Sequence, residues 1–489
     1  MIKEYPQLFI GGGWVDPAGS RTEPVINPAT EETIGIAALG DRSDTIRAIE
    51  SARRAFDEGP WPRMSPRERA AIMIRMADAL EKRSEELVAL NIAETGCTRA
   101  GAASFQTGIP IAHFRDIAER ILPGYPMEVP LPPQVGVGIG QGVVRREPAG
   151  VAALISAYNF PLFLNLMKLG PALAAGCTAV LKPAPTTPLQ ALILGEIALE
   201  AGLPDGVLNI VTGDVDAAAE LTSNPMVDVV SFTGSDMVGR KVFEQAAPTL
   251  KRVVLELGGK SANIICDDAD LQKALPGVIR DTILHAGQGC AYMTRTLVHR
   301  SRFDELVDLV TSRLAAIKVG DPADPDTMMG PLGSAAQRAR VEELIAAGVA
   351  EGATIAFGGS RPAHLDKGFY LEPTLFVDVD NSMTIAQREF FGPVMILMPF
   401  DSDDEAVAIA NDSDYGLAGG VWAKDPVRAY QIGQQLRTGY VTINGGGGGM
   451  SPDGPFGGYK QSGLGRERGA AGLEEFLETK TMVWGVAAG

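Results

Sequence analysis

Apolar and polar positions change period along this chain, and the changes mark its elements. Over residues 43–56 and 65–80 apolar side chains recur at helical spacing. Asp41 or Ser43 caps the first helix. Ser65-Pro66-Arg67-Glu68 gives the second a cap, a proline at its first position and an acid in its first turn. Residues 84–95 read as a further helix. Ahead of these, residues 8–14 read as a strand entering a tight glycine turn, and residues 27–32 as a turn between short strands. From Gly150 the pattern becomes strand–helix–strand. Strands are predicted at 151–155, 179–182, 207–211, 227–232 and 253–257, with helices at 166–175, 189–201, 217–221 and 237–245. That alternation predicts a parallel, doubly wound sheet, which binds ligands at the carboxyl ends of its strands. A second α/β block follows Gly259. It has strands at 263–266, 296–299, 395–398, 417–422 and 440–444, and helices at 271–285, 303–317 and 335–351.

Three stretches stand outside this rhythm. Residues 123–133 are proline-rich, and 135–142 alternate Val or Ile with Gly. They read as an extended excursion, either a surface hairpin or a strand pair leaning on another subunit. Residues 474–484 end in an alternating strand. Residues 445–449 are five consecutive glycines.

Composition narrows the function. A chain of 489 residues holds two or three domains, and 45% hydrophobic with 21% charged residues is ordinary globular usage. The net charge of −17 argues against nucleic acid and anionic membranes as partners. It leaves room for an anionic cofactor held by backbone amides and one or two lysines. Cys97, Cys177, Cys266 and Cys290 form no paired spacing, so neither a disulfide framework nor a zinc site is indicated, and a reducing, cytoplasmic setting is the simpler inference. The four histidines are scattered. His285 reads as a helix position in a half-buried segment. No metal constellation, secretory leader or membrane span is evident.

The chemistry gathers between Leu255 and Cys290. Glu256 sits just before the glycine turn Gly258-Gly259-Lys260, and Cys290 just after Gly287-Gln288-Gly289. A cysteine nucleophile that forms a covalent intermediate needs a base to activate the water that cleaves it, and a partly buried Glu supplies one.

Seven segments then fall in one family's order. They are Ala157-Tyr158-Asn159-Phe160-Pro161, Leu181-Lys182-Pro183-Ala184-Pro185, Phe232-Thr233-Gly234-Ser235, the segment 255–260, the segment 287–290, Glu389-Phe390-Phe391-Gly392-Pro393-Val394, and the segment 455–463. Together they resemble the NAD(P)-dependent aldehyde dehydrogenase superfamily over nearly the whole chain. The resemblance implies two Rossmann-like domains, a cofactor domain of residues 1–122 and 146–257 and a catalytic domain of 258–467. A small β oligomerisation arm, 123–145 with 468–489, would make a homodimer or homotetramer.

It also implies roles. Cys290 is the nucleophile, Glu256 the base for hydrolysis of a thioester, Asn159 an oxyanion donor, and Lys168 lies near oxyanion and base. No GxGxxG follows any strand. Instead Gly234 and Ser235 are expected at the diphosphate, Lys182 and Pro185 at the adenosine ribose, Glu389 and Phe391 at the nicotinamide ribose, and Tyr158 and Leu257 along the same cofactor. Many NAD-preferring relatives carry Glu where Pro185 stands, so NAD is expected with NADP use left open. Phe163, Leu164, Met167 and Tyr292 are expected to line an acyl tunnel. With no arginine among them, an uncharged long-chain or aromatic aldehyde is expected rather than a semialdehyde acid. Gly445 and its neighbours are read as widening that tunnel. The rivals are a CoA-acylating aldehyde dehydrogenase, which Glu256 disfavours, and a non-catalytic protein of the same fold.

Overall fold

The computed structural model describes residues 3–136, 139–446 and 450–486. Its first sheet has eight strands. In spatial order they are Gly463–Leu464, Arg252–Glu256, Val229–Thr233, Val151–Ile155, Thr178–Lys182, Leu208–Ile210, Leu8–Ile10 and Gly13–Val15. The five from Arg252–Glu256 to Leu208–Ile210 run parallel, and the outer ones pair antiparallel. Val151–Ile155 starts the run and the order reverses beside it. The crevice between its carboxyl end and that of Val229–Thr233 is therefore the switch point where such sheets bind ligands.

The second sheet has seven strands, Thr354–Phe357, Thr374–Val377, Val394–Phe400, Arg295–His299, Ala262–Ile265, Ala418–Trp422 and Tyr440–Ile443. All pairings are parallel except that of the Thr354–Phe357 edge. A third, three-stranded antiparallel sheet joins Glu128–Val135, Ile139–Pro148 and Leu477–Val486. The excursion and the closing strand thus pair with each other, as the family resemblance implied. Val129, Val135, Ile139, Met482, Val483 and Trp484 stand exposed on this sheet. No described helix is long and apolar enough to cross a membrane.

Most predicted elements are found within a few residues of their expected ends. The Asp41 cap is a full capping box with Asp44, and the Ser65 cap one with Glu68. Two expectations fail. The helix expected from residue 166 begins at Pro161 and runs to Ala175, because proline is favoured at a first helical position where its missing N–H costs nothing. All fifteen of its residues are buried, which hides the period that a half-exposed helix would show. The helix expected over 271–285 ends at Ile283. His285 and Ala286 have φ of 50° each and Gly287 has φ of 73°, so three successive left-handed residues turn the chain toward Cys290. His285 is also fully buried rather than half-buried, at 3% exposure. Residues 99–124, left unassigned by the pattern, form a nearly continuous helical stretch with two wider, π-type turns.

The register of the first sheet's edge matters for the site. Glu256 pairs with Gly463 and Leu255 with Leu464, so a segment from far along the chain fixes the end of the Glu256 strand. Gly463 has φ of 150°, and a Cβ there would lie 2.0 Å from the Leu255 carbonyl oxygen. Gly463→Ala is therefore expected to cost about 1–3 kcal/mol of stability through backbone strain and to lower kcat by displacing Glu256. Chemical denaturation alongside steady-state rates checks this, and an alanine variant with unchanged kcat would contradict it.

Candidate active site

The carboxyl ends of the first sheet and the loops of the second meet at a cleft of about 210 Å3. Tyr158, Asn159, Phe160 and Leu164 enter it from the turn and helix after Val151–Ile155. Gly234 and Ser235 enter after Val229–Thr233, and Glu256, Leu257 and Gly258 after Arg252–Glu256. Cys290, Glu389 and Phe391 enter from the second sheet's side. The structure thus brings together the residues expected as nucleophile, base and oxyanion donor and most of the expected cofactor residues. Gly259 lets the two halves close, since a Cβ there would lie 2.5 Å from the Cys290 carbonyl oxygen.

Cys290 is partly exposed to this cleft. Burial, and then the negative charges of Glu256 and Glu389, push its thiol up to about 12. At rest it is a neutral thiol and needs a base to become a nucleophile. Asn159 is buried, and its amide nitrogen donates one hydrogen bond of 2.9 Å to the Gln288 carbonyl. An amide carries two N–H groups, so one donor remains for an oxygen bound to the sulfur's substrate.

Glu256 is 2% exposed, and neither carboxylate oxygen has a partner among the described residues. Desolvation, and then the charge of Glu467, raise its pKa well above the ordinary value, while Lys168 opposes them. Glu467 was not foreseen. It lies beside Arg466 after a sharp bridge back to the first sheet, and it accepts a 2.8 Å ion pair from Lys168. Lys168 also donates to the Ser231 hydroxyl at 3.0 Å. Lys168 is fully buried and does not line the cleft. Its place is behind Glu256, in an Nζ–carboxylate pair.

Other expected residues fall farther back. Lys182 is buried at its strand's carboxyl end, level with Ile155 on the neighbouring strand, and burial pushes it down to about 8. Neither it nor Pro185 lines the cleft. Glu389 accepts from the Gly259 N–H at 3.0 Å and is raised to about 7 by burial. Phe391 meets Tyr158 edge-on, with ring centroids 5.9 Å apart. Ser235 caps the helix Asp236–Ala246 through a hydrogen bond from the Val238 N–H, and Gly234 and Ser235, at that helix's N-terminus, line the cleft. Gln288, also unforeseen, orders the nucleophile loop. Its side-chain oxygen accepts from the Gly333 N–H at 2.8 Å and from the Tyr158 hydroxyl at 3.3 Å.

Phe163, Leu164, Met167 and Tyr292 do cluster, together with Phe160, Phe105 and Met450. Tyr292 and Ala291 lead into a second cavity of about 350 Å3. Of the four expected residues, Tyr292 lines this cavity, Leu164 lines the cleft, and Phe163 and Met167 line neither. Arg280 and Arg468, which were not among the expected lining residues, both line the cavity. Arg468 arrives from a segment remote in sequence, so a local reading around the cluster could not see it. Gly445 and Gly446 line the same cavity, whereas Gly447, Gly448 and Gly449 lie outside the described residues.

Fold and site together define an α/β protein of two parallel sheets whose cleft gathers Cys290, Glu256 and Asn159. The aldehyde dehydrogenase family model matches residues 14–482, and the chain belongs to that family. It is 44% identical over 485 residues, 99% of each chain, to the 3-succinoylsemialdehyde-pyridine dehydrogenase of a Pseudomonas species. It is 38% identical to the geranial dehydrogenase of Castellaniella defragrans, covering 99% of each. Among solved structures, a Mycobacterium tuberculosis aldehyde dehydrogenase complexed with NAD+ shares 46% identity at a TM-score of 0.93, covering 98% of each chain. A cysteine-to-alanine mutant of aldehyde dehydrogenase C from Pseudomonas syringae, complexed with NAD+ and octanal, shares 40% identity at a TM-score of 0.92, covering 97% of this chain and 96% of that one.

The Glu256 environment sets a pH dependence of stability. Its folded-state pKa is raised, so its contribution is fully present below the unfolded carboxyl value and is lost as pH rises through the folded value. Glu256→Gln, always neutral, is expected to melt higher than the parent at neutral and alkaline pH, with the gap closing in acid. Thermal melts across pH check this. Breaking the adjoining pair is expected to do the reverse. Lys168→Met leaves Glu467 buried without its cation and should cost about 3–5 kcal/mol.

Proposed function

We propose that this chain oxidises an aldehyde to its carboxylic acid with NAD, through a thioester on Cys290. The observation that carries the reading is the convergence on one cleft of the Cys290 thiol, the Asn159 amide and a Glu256 carboxylate with both oxygens free. NAD is supported by the cleft's own chemistry. The helix opening at Ser235 presents free amides, and Glu389 reaches the same space. Gly258 keeps the approach clear, since a Cβ there would meet the Glu389 carboxylate at 2.5 Å. The NAD+ complexes of the related enzymes point the same way. Gly234 and Ser235 would hold the diphosphate, Glu389 the nicotinamide ribose, and Lys182 the adenosine ribose. Tyr158, Leu257 and Phe391 would flank the cofactor.

The residues then act in sequence. Glu256 in its carboxylate form takes the thiol proton as the sulfur attacks the aldehyde carbon. The second N–H of Asn159 meets the oxyanion that forms. Bound nicotinamide supplies the hydride acceptor. Hydride loss leaves the acyl group on Cys290 as a thioester. Glu256 passes the thiol proton to solvent and so returns to carboxylate. It next takes a proton from water, whose oxygen attacks the thioester carbon, and gives that proton to the departing sulfur, restoring the thiol. The Lys168–Glu467 pair behind Glu256 holds the charge balance through which its proton is gained and lost.

Phe160 and Leu164 in the cleft, and Phe105, Tyr292, Met450 and Phe456 in the adjoining cavity, offer apolar and aromatic walls backed by Phe163 and Met167, which suit an aldehyde with a long-chain or aromatic body. Pro185 leaves no carboxylate to repel a 2′-phosphate, so NADP is a second cofactor here. We further assign the arm, residues 123–145 and 468–489, to a homodimer or homotetramer through its exposed apolar face. The cofactor unit is then residues 1–122 and 146–257 and the catalytic unit 258–467. The four free thiols suit a reducing, cytoplasmic setting.

Mixing the protein with NAD and a panel of aldehydes should produce NADH absorbance. Cys290→Ala should abolish it while NAD binding, read by calorimetry, persists. Glu256→Gln should abolish steady-state NADH formation and slow the first equivalent as well, since one carboxylate serves both acylation and hydrolysis. A wild-type protein that oxidises no aldehyde would sink the proposal. Acyl-CoA formed on adding CoA would favour the CoA-acylating rival. Pro185→Glu should lower kcat/KM with NADP more than with NAD.

A further inference from the structure

Glu467 is committed to Lys168, but the residue after it has no such partner. Arg468 is 6% exposed, and its Nε is buried without an acceptor. Its guanidinium lies 4.5 Å from the Phe456 ring centroid and 5.8 Å from that of Phe163. Among the described residues no carboxylate forms an ion pair with it. The backbone is strained to present this side chain, with φ of 71° at a residue that is not glycine. Aromatic faces return part of the cost of burying a cation, but they do not satisfy its N–H donors.

The same wall carries a second unused donor. Tyr292 lines the 350 Å3 cavity with Arg468, and its hydroxyl is buried without a partner. No acidic side chain lines that cavity. The other arginine there, Arg280, is already paired with Asp281 at 2.8 Å and is half exposed. Ala291, next in sequence to Cys290, is among the residues lining this cavity, and the charge of Cys290 is felt at Arg468. The cavity wall thus holds a buried guanidinium and a hydroxyl, with apolar walls between and no acceptor for either among the described residues.

We propose that Arg468 is a specificity residue that receives a carboxylate on the substrate, with the Tyr292 hydroxyl as a second donor, so that the preferred substrates are carboxylate-bearing aldehydes with an apolar body. This rests on the aldehyde-oxidising reading of Cys290 and Glu256 and names the substrate class for that site. The carboxylate would supply the counter-charge that Arg468 lacks, in the paired geometry a guanidinium favours. The aldehyde end would meanwhile lie at Cys290.

The test compares matched substrates that differ only in the carboxylate: adipate semialdehyde against hexanal, and para-carboxybenzaldehyde against benzaldehyde. The parent protein should favour the acid of each pair by about tenfold or more in kcat/KM. Arg468→Met should lower kcat/KM for the acids by roughly a hundredfold, chiefly through KM, and reverse the preference, as expected when a site built to bind a polar group loses it. Arg468→Lys should restore part of the acid preference. Independently of any variant, adipate should protect Cys290 of the parent protein from iodoacetamide in a saturable way, while hexanol should not. Equal turnover of acids and neutral aldehydes, an equal loss of both classes in Arg468→Met, or no protection by adipate would each overturn the assignment. If neutral aldehydes are oxidised and the acids are not preferred, only this inference fails. If no aldehyde of either kind is oxidised, the parent reading of the site fails instead.

Discussion

A carboxylic acid buried without hydrogen-bond partners is the constraint on which this site depends. Glu256 ends the strand Arg252–Glu256, and among the described residues both its oxygens are left open. Such a group is costly to ionise, and an isolated one would stay neutral. What makes it usable is the charge arrangement behind it. Lys168 pulls its pKa down while Glu467 pushes it up, and the two are tied to each other. The net result is a carboxyl raised well above its ordinary range, by desolvation first and by Glu467 next, with Lys168 opposing. In the proposed reaction such a group exchanges protons with thiol and water more readily than one locked in a surface ion pair.

Around that carboxylate, backbone shape does most of the positioning. Three left-handed residues, His285 to Gly287, redirect the chain so that Cys290 faces the first sheet. Gly259 permits contact between the nucleophile loop and the turn after Glu256, and Gly457 does the same for the segment leading to Glu467, where a Cβ would meet the Glu256 carboxylate at 2.7 Å. Gln288 then ties the loop to Tyr158, Gly333 and Asn159 through side chain and carbonyl. The site is rigid by exclusion of side chains as much as by contacts between them.

The regular elements were legible because their burial is one-sided or their caps are explicit. Ser65 with Glu68 and the strand–helix alternation after Gly150 are examples. The helix Pro161–Ala175 was misplaced at its start because a helix buried on every side shows no period. The bend at His285 was missed because its φ angles belong to residues that give no local turn signal. Cys290, Glu256 and Asn159 stood out through their motifs. Glu467, Gln288 and Arg468 did not, since each acts on a partner distant in sequence. Lys168 was expected near oxyanion and base; the fold places it behind the Glu256 carboxylate and outside the cleft, a distinction that only three-dimensional packing makes.

The ion pair behind the base joins residues 299 positions apart. During synthesis the segment carrying Lys168 emerges long before the one carrying Glu467, and so does the strand that Gly463 later clamps. For that interval an ammonium group that ends fully enclosed has no counter-ion, and the first sheet lacks its outer edge. The nascent chain must therefore remain open, with the future catalytic centre wet, until the far segment arrives. Closure of the centre is then the late, slow event in maturation, as the cost of long-range contacts dictates.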